Sequence, residues 1–357
     1  MTATALAHHL AYCATLAALS AVAVWVMSRI GTLDVPGARS SHVQPTPKGG
    51  GIGIMLAFLV GMAVLYELAV SSRIAEPYFR AVLLSAMMIA VVGYLDDVLH
   101  WPAMVKLMAQ VAAAVLAVIG GLSLSFVRLP VIGTIELGLS GPVITVAWIV
   151  AATNALNFID GLNGLASGVT AISCAVLAVI GALLGAPFIY FSSLTLLAGV
   201  VGFLPFNFPH ARIFMGDVGS QSCGFLLAVL AVAAGRFEVV DLSIALVPML
   251  ISGVLFDVAF TLVRRTLAGE RLTQAHRGHL YQLAFRSGMP AIRITLIHWG
   301  FAVWGGVCCA LFLITTPALK PFCMMLVLPP QIFWVIAVHR CTSRAGLTRT
   351  QLTGQAQ

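Results

Sequence analysis

The feature that most constrains this chain is a run of apolar segments, each about 20 residues long, that recurs from one end to the other with only short polar breaks. A helix needs about that length to cross a hydrocarbon core, because 1.5 Å of rise per residue must span roughly 30 Å. In lipid every backbone polar group has to be satisfied internally, which leaves helices or a closed barrel. The segments are too long for barrel strands. They lie at about 8–28, 50–70, 80–95, 103–121, 143–157, 164–184, 188–206, 219–235, 242–263, 291–317 and 321–339. The fold class expected is an all-α integral membrane protein with about eleven transmembrane helices. Composition agrees, with 60% apolar residues, only 9% charged and a mean hydropathy of +1.03. A soluble domain carries roughly 25% charged residues.

No polar stretch suggests a separate soluble domain. Residues 1–340 read as one polytopic transmembrane catalytic domain, followed by a polar tail over 341–357. The first basic residue, Arg29, follows the first apolar run, so that run lacks a basic leader and is expected to be retained as a helix. Between Pro130 and its neighbours, "LSLSFVRLPVIGTIELGLSG" (122–141) alternates apolar and polar residues and predicts a short β-hairpin on the outer side.

Counting Lys and Arg in alternate loops gives fourteen on one side and five on the other. The positive-inside rule puts the first set in the cytoplasm, with the N-terminus outside and the C-terminus inside. The formal net charge of +7 is then loop charge that sets topology and meets anionic lipid, and no nucleic-acid partner is expected. The seven Cys lie mostly inside apolar runs without a CxxC pair, which predicts core packing rather than disulfides or a zinc site.

The twelve acidic residues carry the functional signal. Glu67, Glu76, Glu136, Glu238 and Asp241 fall in outer loops or at outer helix ends and read as solvated surface charge. Asp34, Asp96, Asp97, Asp160, Asp217, Asp257 and Glu270 all fall on the cytoplasmic side. Carboxylates at a membrane edge are costly unless cations or hydrogen bonds compensate them, so such a cluster marks function. In "GYLDDVLHWP" the adjacent Asp96 and Asp97 repel, which demands a divalent metal or basic groups, or else leaves one of them as a base. In "TNALNFIDGLNGLASG" Asn154, Asn157 and Asp160 offer oxygen donors of the kind that suit magnesium. In "FMGDVGS" Asp217 precedes an apolar helix whose N-cap is expected at Ser220, with backbone N–H groups free for a phosphate. The loops "ARSSHVQPTPKGGGIG" and "RRTLAGERLTQAHRGHLYQ" add Arg39, His42, Lys48, Arg264, Arg265, Arg271, His276, Arg277 and His279. The first is neither a dinucleotide fingerprint nor a Walker loop. Asp257, inside an apolar segment, is expected either to pair with Arg264 or its neighbour or to support the pocket of the site.

Taken in order, "DVPGARSSHVQPTPKGGGIGI", "GYLDDV" with Lys106, "NALNFIDGLNGLASG", "FMGDVGS" and "HRGHLYQ" resemble the polyprenyl-phosphate N-acetylhexosamine-1-phosphate transferases (glycosyltransferase family 4). This membrane family includes the MraY and WecA enzymes of bacterial wall and O-antigen synthesis. The resemblance spans 34–282 and implies an enzyme of the bacterial inner membrane with its active site on the cytoplasmic face. Its reaction moves a sugar 1-phosphate from a UDP-N-acetyl sugar to undecaprenyl phosphate, with Mg2+, or Mn2+ in its place, as cofactor. By the same resemblance Asp217 is the metal ligand with Asn154 as companion, and Asp96, Asp97 and Asp160 are catalytic. Lys48, Lys106, Asn157, Asn163, His276, Arg277 and His279 bind substrate. The attack is direct or passes through a covalent carboxylate intermediate.

Two departures bear on the branch. Asn163 stands where many relatives have an aspartate, and "HRGHLYQ" replaces a run richer in histidine. The latter resembles the O-antigen initiating branch more than the peptidoglycan one, which favours N-acetylglucosamine or a deoxy form such as N-acetylfucosamine or N-acetylquinovosamine over the muramoyl pentapeptide. The resemblance also allows a homodimer. The competing class is a polytopic transporter or lipid flippase that relays protons through intramembrane carboxylates, which would place acidic residues near mid-membrane.

Overall fold

The computed structural model describes residues 3–36, 44–68, 77–129, 131–236, 242–271 and 277–346. Arg39, His42, Glu76, Glu238, Asp241, His276 and the tail from 347 lie outside the described residues. All eleven apolar segments fold as helix. They form α1 (Ala3–Ile30), α2 (Gly51–Leu68), α3 (Pro77–Leu99), α4 (Ala103–Ile119), α5 (Ser140–Ile159), α6 (Leu165–Leu184), α7 (Pro187–Asn207) and α8 (Gly216–Arg236). The ninth segment is divided into α9 (Leu246–Leu250) and α10 (Ser252–Leu267). A short α11 (Leu280–Arg286) precedes α12 (Ala291–Ile314), and the last segment divides into α13 (Lys320–Met325) and α14 (Leu328–Arg344). Among the described residues eight helical spans are long and apolar enough to cross a membrane, the last made by α13 and α14 together, and α2 and α4 are shorter apolar helices.

The expected hairpin is present. Strands β3 (Phe126–Leu129) and β4 (Gly133–Glu136) pair antiparallel, with Phe126 opposite Glu136 and Leu129 opposite Gly133. A second, two-residue ladder joins β1 (Leu33–Asp34) to β2 (Thr46–Pro47). It carries the chain from α1 to the glycines that open α2.

Helix α8 is the axis of the molecule. Its most apolar window is 94% buried, against 17% for that of α1, and it packs on α2, α3 and α5. Small residues make this possible. Gly93 of α3 lies so close to α8 that an added Cβ would meet the Cα and N of Val218 at 2.7 Å each. Close backbone approach through small residues is how helices associate where lipid supplies no hydrophobic drive. The remaining helices wrap this axis, α7 packing on α1, α2 and α6, and α12 on α6 and α9. The cysteines are free, and Cys174, Cys223, Cys308, Cys309 and Cys323 are buried, as core packing requires.

The division of the ninth segment at Ile251 differs from the single helix expected over 242–263. Pro248 is the third residue of α9, in the first turn, where a helix needs no N–H; having none to give to Ile244, it fits the late start of that helix rather than the break at Ile251. Asp257, in the N-terminal half of α10, meets the chain at His279–Tyr281, beside the cavity end of the bundle.

Candidate active site

Three chain reversals deliver the acidic residues to one place. Asp96 and Asp97 close the last turn of α3, Asp160 is the C-cap of α5, and Asp217 lies in the first turn of α8. Because α8 runs opposite to α3 and α5, two helix ends meet one helix start. A cavity of about 340 Å3 opens there. Asp97, Asn157, Asp160, Asn163 and Asp217 line it, together with Asp34, Lys48, Ser220, Arg277 and, unforeseen as site residues from the sequence, Tyr281, Gln282 and Arg286.

The start of α8 differs from the expectation of free amides. The helix begins at Gly216 rather than after Ser220, and the Ser220 hydroxyl donates to the Gly216 carbonyl at 3.1 Å. The N–H groups of Asp217 and Val218 donate to the two oxygens of Asp97 at 3.1 and 3.2 Å. Asp97 thus caps α8 from α3, and a carboxylate at a helix N-terminus is favoured by the dipole as well as by the bonds. Gly216 adopts φ +73, and a Cβ there would stand 2.4 Å from Asp97 Oδ2. Glycine is what lets the carboxylate approach.

Asp217 is held on both oxygens. Oδ1 accepts from Asn157 Nδ2 at 3.0 Å, and Oδ2 from Lys106 Nζ at 3.2 Å and Gln221 Nε2 at 2.8 Å. Lys106 also donates to Asp96 Oδ2 at 3.0 Å, and the Trp101 amide donates to Asp96 Oδ1 at 2.9 Å. One lysine therefore bridges the carboxylates of α3 and α8, offsetting the repulsion that the Asp96 and Asp97 pair posed. Neither Asp96 nor Lys106 lines the cavity; they lie behind Asp217.

The amides of α5 separate. Asn157 reaches Asp217 and Ser220, whereas Asn154 turns toward α4, donating to Gln110 Oε1 at 2.6 Å and to the Val150 carbonyl at 2.8 Å. The structure brings Asn157, and not Asn154, into contact with Asp217. Asp160, half-buried at the rim, has its carboxyl raised well above the usual range by burial first and by the charges of Asp217 and Asp97. Asn163 donates to the Pro209 carbonyl at 3.2 Å and stands half-buried on the wall.

The opposite wall is α11. Asp257, 1% exposed, accepts from His279 Nδ1 and from the amides of Leu280 and Tyr281, each at 3.0 Å. It caps α11 from α10. The pairing of Asp257 with Arg264 or its neighbour is therefore corrected: Arg264 donates to the Gly278 carbonyl, and Arg265 to Glu270 and the Arg271 carbonyl. A buried carboxylate is satisfied as well by three N–H donors as by one guanidinium. His279 itself is buried between Phe158 and Tyr281 and does not line the cavity. It supports the wall, which Tyr281 and Gln282 form. Tyr281 donates from its hydroxyl to the Phe158 carbonyl at 3.0 Å, next to the Asp160 turn. Burial pushes its phenol well up, so it stays a donor. The sequence signal for Gln282 was its place three residues after His279, where a helix start puts a side chain that returns to the N-cap amide; Gln282 Oε1 accepts from the His279 N–H at 3.2 Å.

Lys48 is fixed by the glycine-rich turn. The amides of Gly50 and Gly51 donate to the carbonyls of Phe214 and Met215 at 2.9 and 2.8 Å, and Phe214 donates to the Pro47 carbonyl at 2.8 Å. This short parallel bridge ties the start of α2 to the approach of α8. The cavity so built mixes carboxylates with Lys48, Arg277 and Arg286, a surface that suits a polyanion held together with a cation.

Comparison with known proteins agrees with this chemistry. A model of the family "Glycosyl transferase family 4" matches residues 79–235. A Bacillus subtilis protein named as a probable undecaprenyl-phosphate N-acetylglucosaminyl 1-phosphate transferase is 34% identical, over 77% of this chain and 76% of its own length. A decaprenyl-phosphate N-acetylglucosaminephosphotransferase of Mycobacterium tuberculosis is 31% identical over 78% of this chain and 74% of its own. A phospho-N-acetylmuramoyl-pentapeptide-transferase of Moorella thermoacetica is 32% identical over 76% and 86%.

Proposed function

The chain belongs to glycosyl transferase family 4, and from that premise we propose that it transfers N-acetylglucosamine 1-phosphate from UDP-N-acetylglucosamine to undecaprenyl phosphate. The products are undecaprenyl-diphosphate N-acetylglucosamine and UMP. The observation that carries this reading is the cavity in which Asp97, Asp160 and Asp217 face Lys48, Arg277 and Arg286 at one end of the bundle. The names of the similar Bacillus and mycobacterial proteins put N-acetylglucosamine ahead of the deoxy sugars. A place at the start of O-antigen or related envelope glycan synthesis, in the bacterial inner membrane, follows from the lipid carrier.

An oxygen of the lipid phosphate attacks the β-phosphorus of the nucleotide sugar. The bond from that phosphorus to the bridging oxygen breaks, and the oxygen leaves with UMP. Catalysis of such a transfer rests on positioning and on neutralising charge. Lys48, Arg277 and Arg286 supply fixed positive charge at the cavity wall, and Lys106 holds Asp96 and Asp217 in register behind it.

Magnesium fits the donor set. Among the described residues no three of His, Cys, Asp and Glu converge closely enough to form a complete cage. Magnesium does not need one, since it is commonly held by one or two carboxylates, waters and substrate phosphates. Asp217 and Asp160 are the residues that would hold it, and when bound it neutralises the diphosphate. The relay reading of a transporter or flippase lacks such support, because the carboxylates gather at helix ends rather than along a path through the bundle.

The test uses purified protein in detergent with undecaprenyl phosphate, magnesium and a panel of UDP-N-acetyl sugars. UMP release and the lipid product by mass spectrometry are followed together. Turnover with UDP-N-acetylglucosamine, reduced at least about a hundredfold in Asp217→Asn, supports the proposal. Well-folded protein that releases no UMP with any sugar overturns it.

A further inference from the structure

Beneath Asp217 lies a buried chain of amide side chains that no step above uses. Asn154 donates to Gln110 Oε1 at 2.6 Å, Gln110 Nε2 to Gln221 Oε1 at 2.9 Å, and Gln221 Nε2 to Asp217 Oδ2 at 2.8 Å. The three amides come from α5, α4 and α8. Gln110 and Gln221 are 3% and 1% exposed, so water does not compete for their bonds.

The direction of this chain is fixed at both ends. Asn154 also faces the Val150 carbonyl at 2.8 Å, which can only accept, so the atom toward it is the nitrogen. Asn154 therefore presents N–H to Gln110, whose oxygen must face it. The nitrogen of Gln110 is then left for Gln221, which must turn its own oxygen inward and its N–H toward Asp217. At that end an ionised carboxylate again only accepts. Turning over any single amide would oppose oxygen to oxygen or N–H to N–H in a dry interior, where an unmade bond costs about 1–3 kcal/mol.

We propose that Asn154, Gln110 and Gln221 form a directional ladder that orients the Asp217 carboxylate, making Gln110 and Gln221 positioning residues of the transfer reaction. The ladder rests on the functional reading above. It gives Asn154 a role through Gln110 in place of direct metal ligation. It also ties α4 to Asp217 twice, once through Lys106 and once, a turn later, through Gln110. Asp217 Oδ2 is then held from the protein side by Lys106 and Gln221 while the carboxylate borders the cavity.

The experiment is a double-mutant cycle with methionine, which keeps the length of glutamine and removes both polar atoms. Gln110→Met, Gln221→Met and the double variant are assayed for kcat and KM. Thermal unfolding in detergent is followed at increasing magnesium, without substrate. The ladder expects Gln110→Met to lower kcat about tenfold while KM for the nucleotide sugar changes less than about threefold, the pattern of an interaction realised in the transition state. It expects Gln221→Met to lose at least as much, and the double variant to match Gln221→Met alone, because Gln110 reaches Asp217 only through Gln221. Both single variants should need more magnesium for half of the thermal shift.

A folded Gln110→Met protein with wild-type kcat and magnesium response overturns the ladder, as do losses that multiply in the double variant. If Gln110→Met fails to fold, Gln110→Glu takes its place. Once ionised it turns the Gln221 amide over, so turnover should fall with rising pH relative to wild type, and that difference should vanish when residue 221 is methionine. A Gln110→Glu enzyme with the kcat and pH profile of wild type also overturns it. Wild-type protein without UMP release in the same assay would instead remove the functional reading.

Discussion

At the scale of single residues, Asp160 shows how this site holds charge against stability. Burial, then the charges of Asp217 and Asp97, raise its carboxyl well above the usual range. A raised carboxyl binds its proton more tightly in the folded chain than in the unfolded one. Its contribution therefore turns unfavourable as pH rises from the ordinary carboxylate range through the raised value. In magnesium-free protein at neutral pH, Asp160 should lower stability. Asp160→Asn is expected to unfold at a higher temperature than wild type at about pH 7, with the gap closing as pH falls toward about 4, while product formation is lost. A gap independent of pH would remove the electrostatic account. The aspartates were legible in the sequence because the chain tolerates charge almost nowhere else. Their partners were not. Asn154 and Asn157 are alike in type and stand three residues apart, yet one meets Gln110 and the other Asp217. Which way each turns depends on α4 and α8, and no local pattern encodes that.

At the scale of elements, the apolar segments located the helices, since the length needed to cross a membrane is set by the bilayer and not by the fold. Apolar composition on all sides of a helix then conceals which face packs. The break at Ile251 and the capping of α8 and α11 by carboxylates from α3 and α10 were hidden for that reason. The glycines carry part of the missing information. Gly93 stands one turn before Asp97 on α3, against the backbone of Val218. A backbone atom cannot turn aside as a side chain does, so Gly93→Ala must move α3 off α8 and lengthen the bonds from the Asp217 and Val218 amides to Asp97. The expected result is a loss of about 1–3 kcal/mol in stability and a fall in kcat of at least about tenfold. Gly300→Ala on α12, where an added Cβ meets nothing within 4 Å, provides the control and should leave turnover unchanged. Equal behaviour of the two variants in thermal unfolding and turnover would show that the α3 to α8 approach does not hold the site.

At the scale of the whole molecule, the two ends of the bundle differ in charge as well as in content. Two long helices at the site keep carboxylates at one end and a basic residue at the other: α3 runs from Arg80 to Asp96 and Asp97, and α8 from Asp217 to Arg236. The end with the cavity also holds Arg212, Arg264, Arg265, Arg277 and Arg286, whereas the β3–β4 hairpin with Glu136 lies at the opposite end. By the positive-inside rule the cavity is expected to face the cytoplasm, the compartment in which a nucleotide sugar is available. Two exposed positions decide this, Glu136 on the hairpin and Arg212 before α8. Each is changed to cysteine in a Cys13→Ser, Cys341→Ser background, which removes the two native thiols that are not buried. A membrane-impermeant maleimide should label Glu136→Cys in intact spheroplasts and Arg212→Cys only after permeabilisation. The reverse pattern would place the carboxylates and Lys48 outside, where the lysine and arginines could meet a lipid phosphate but no UDP-sugar, and the transferase reading would lose its donor.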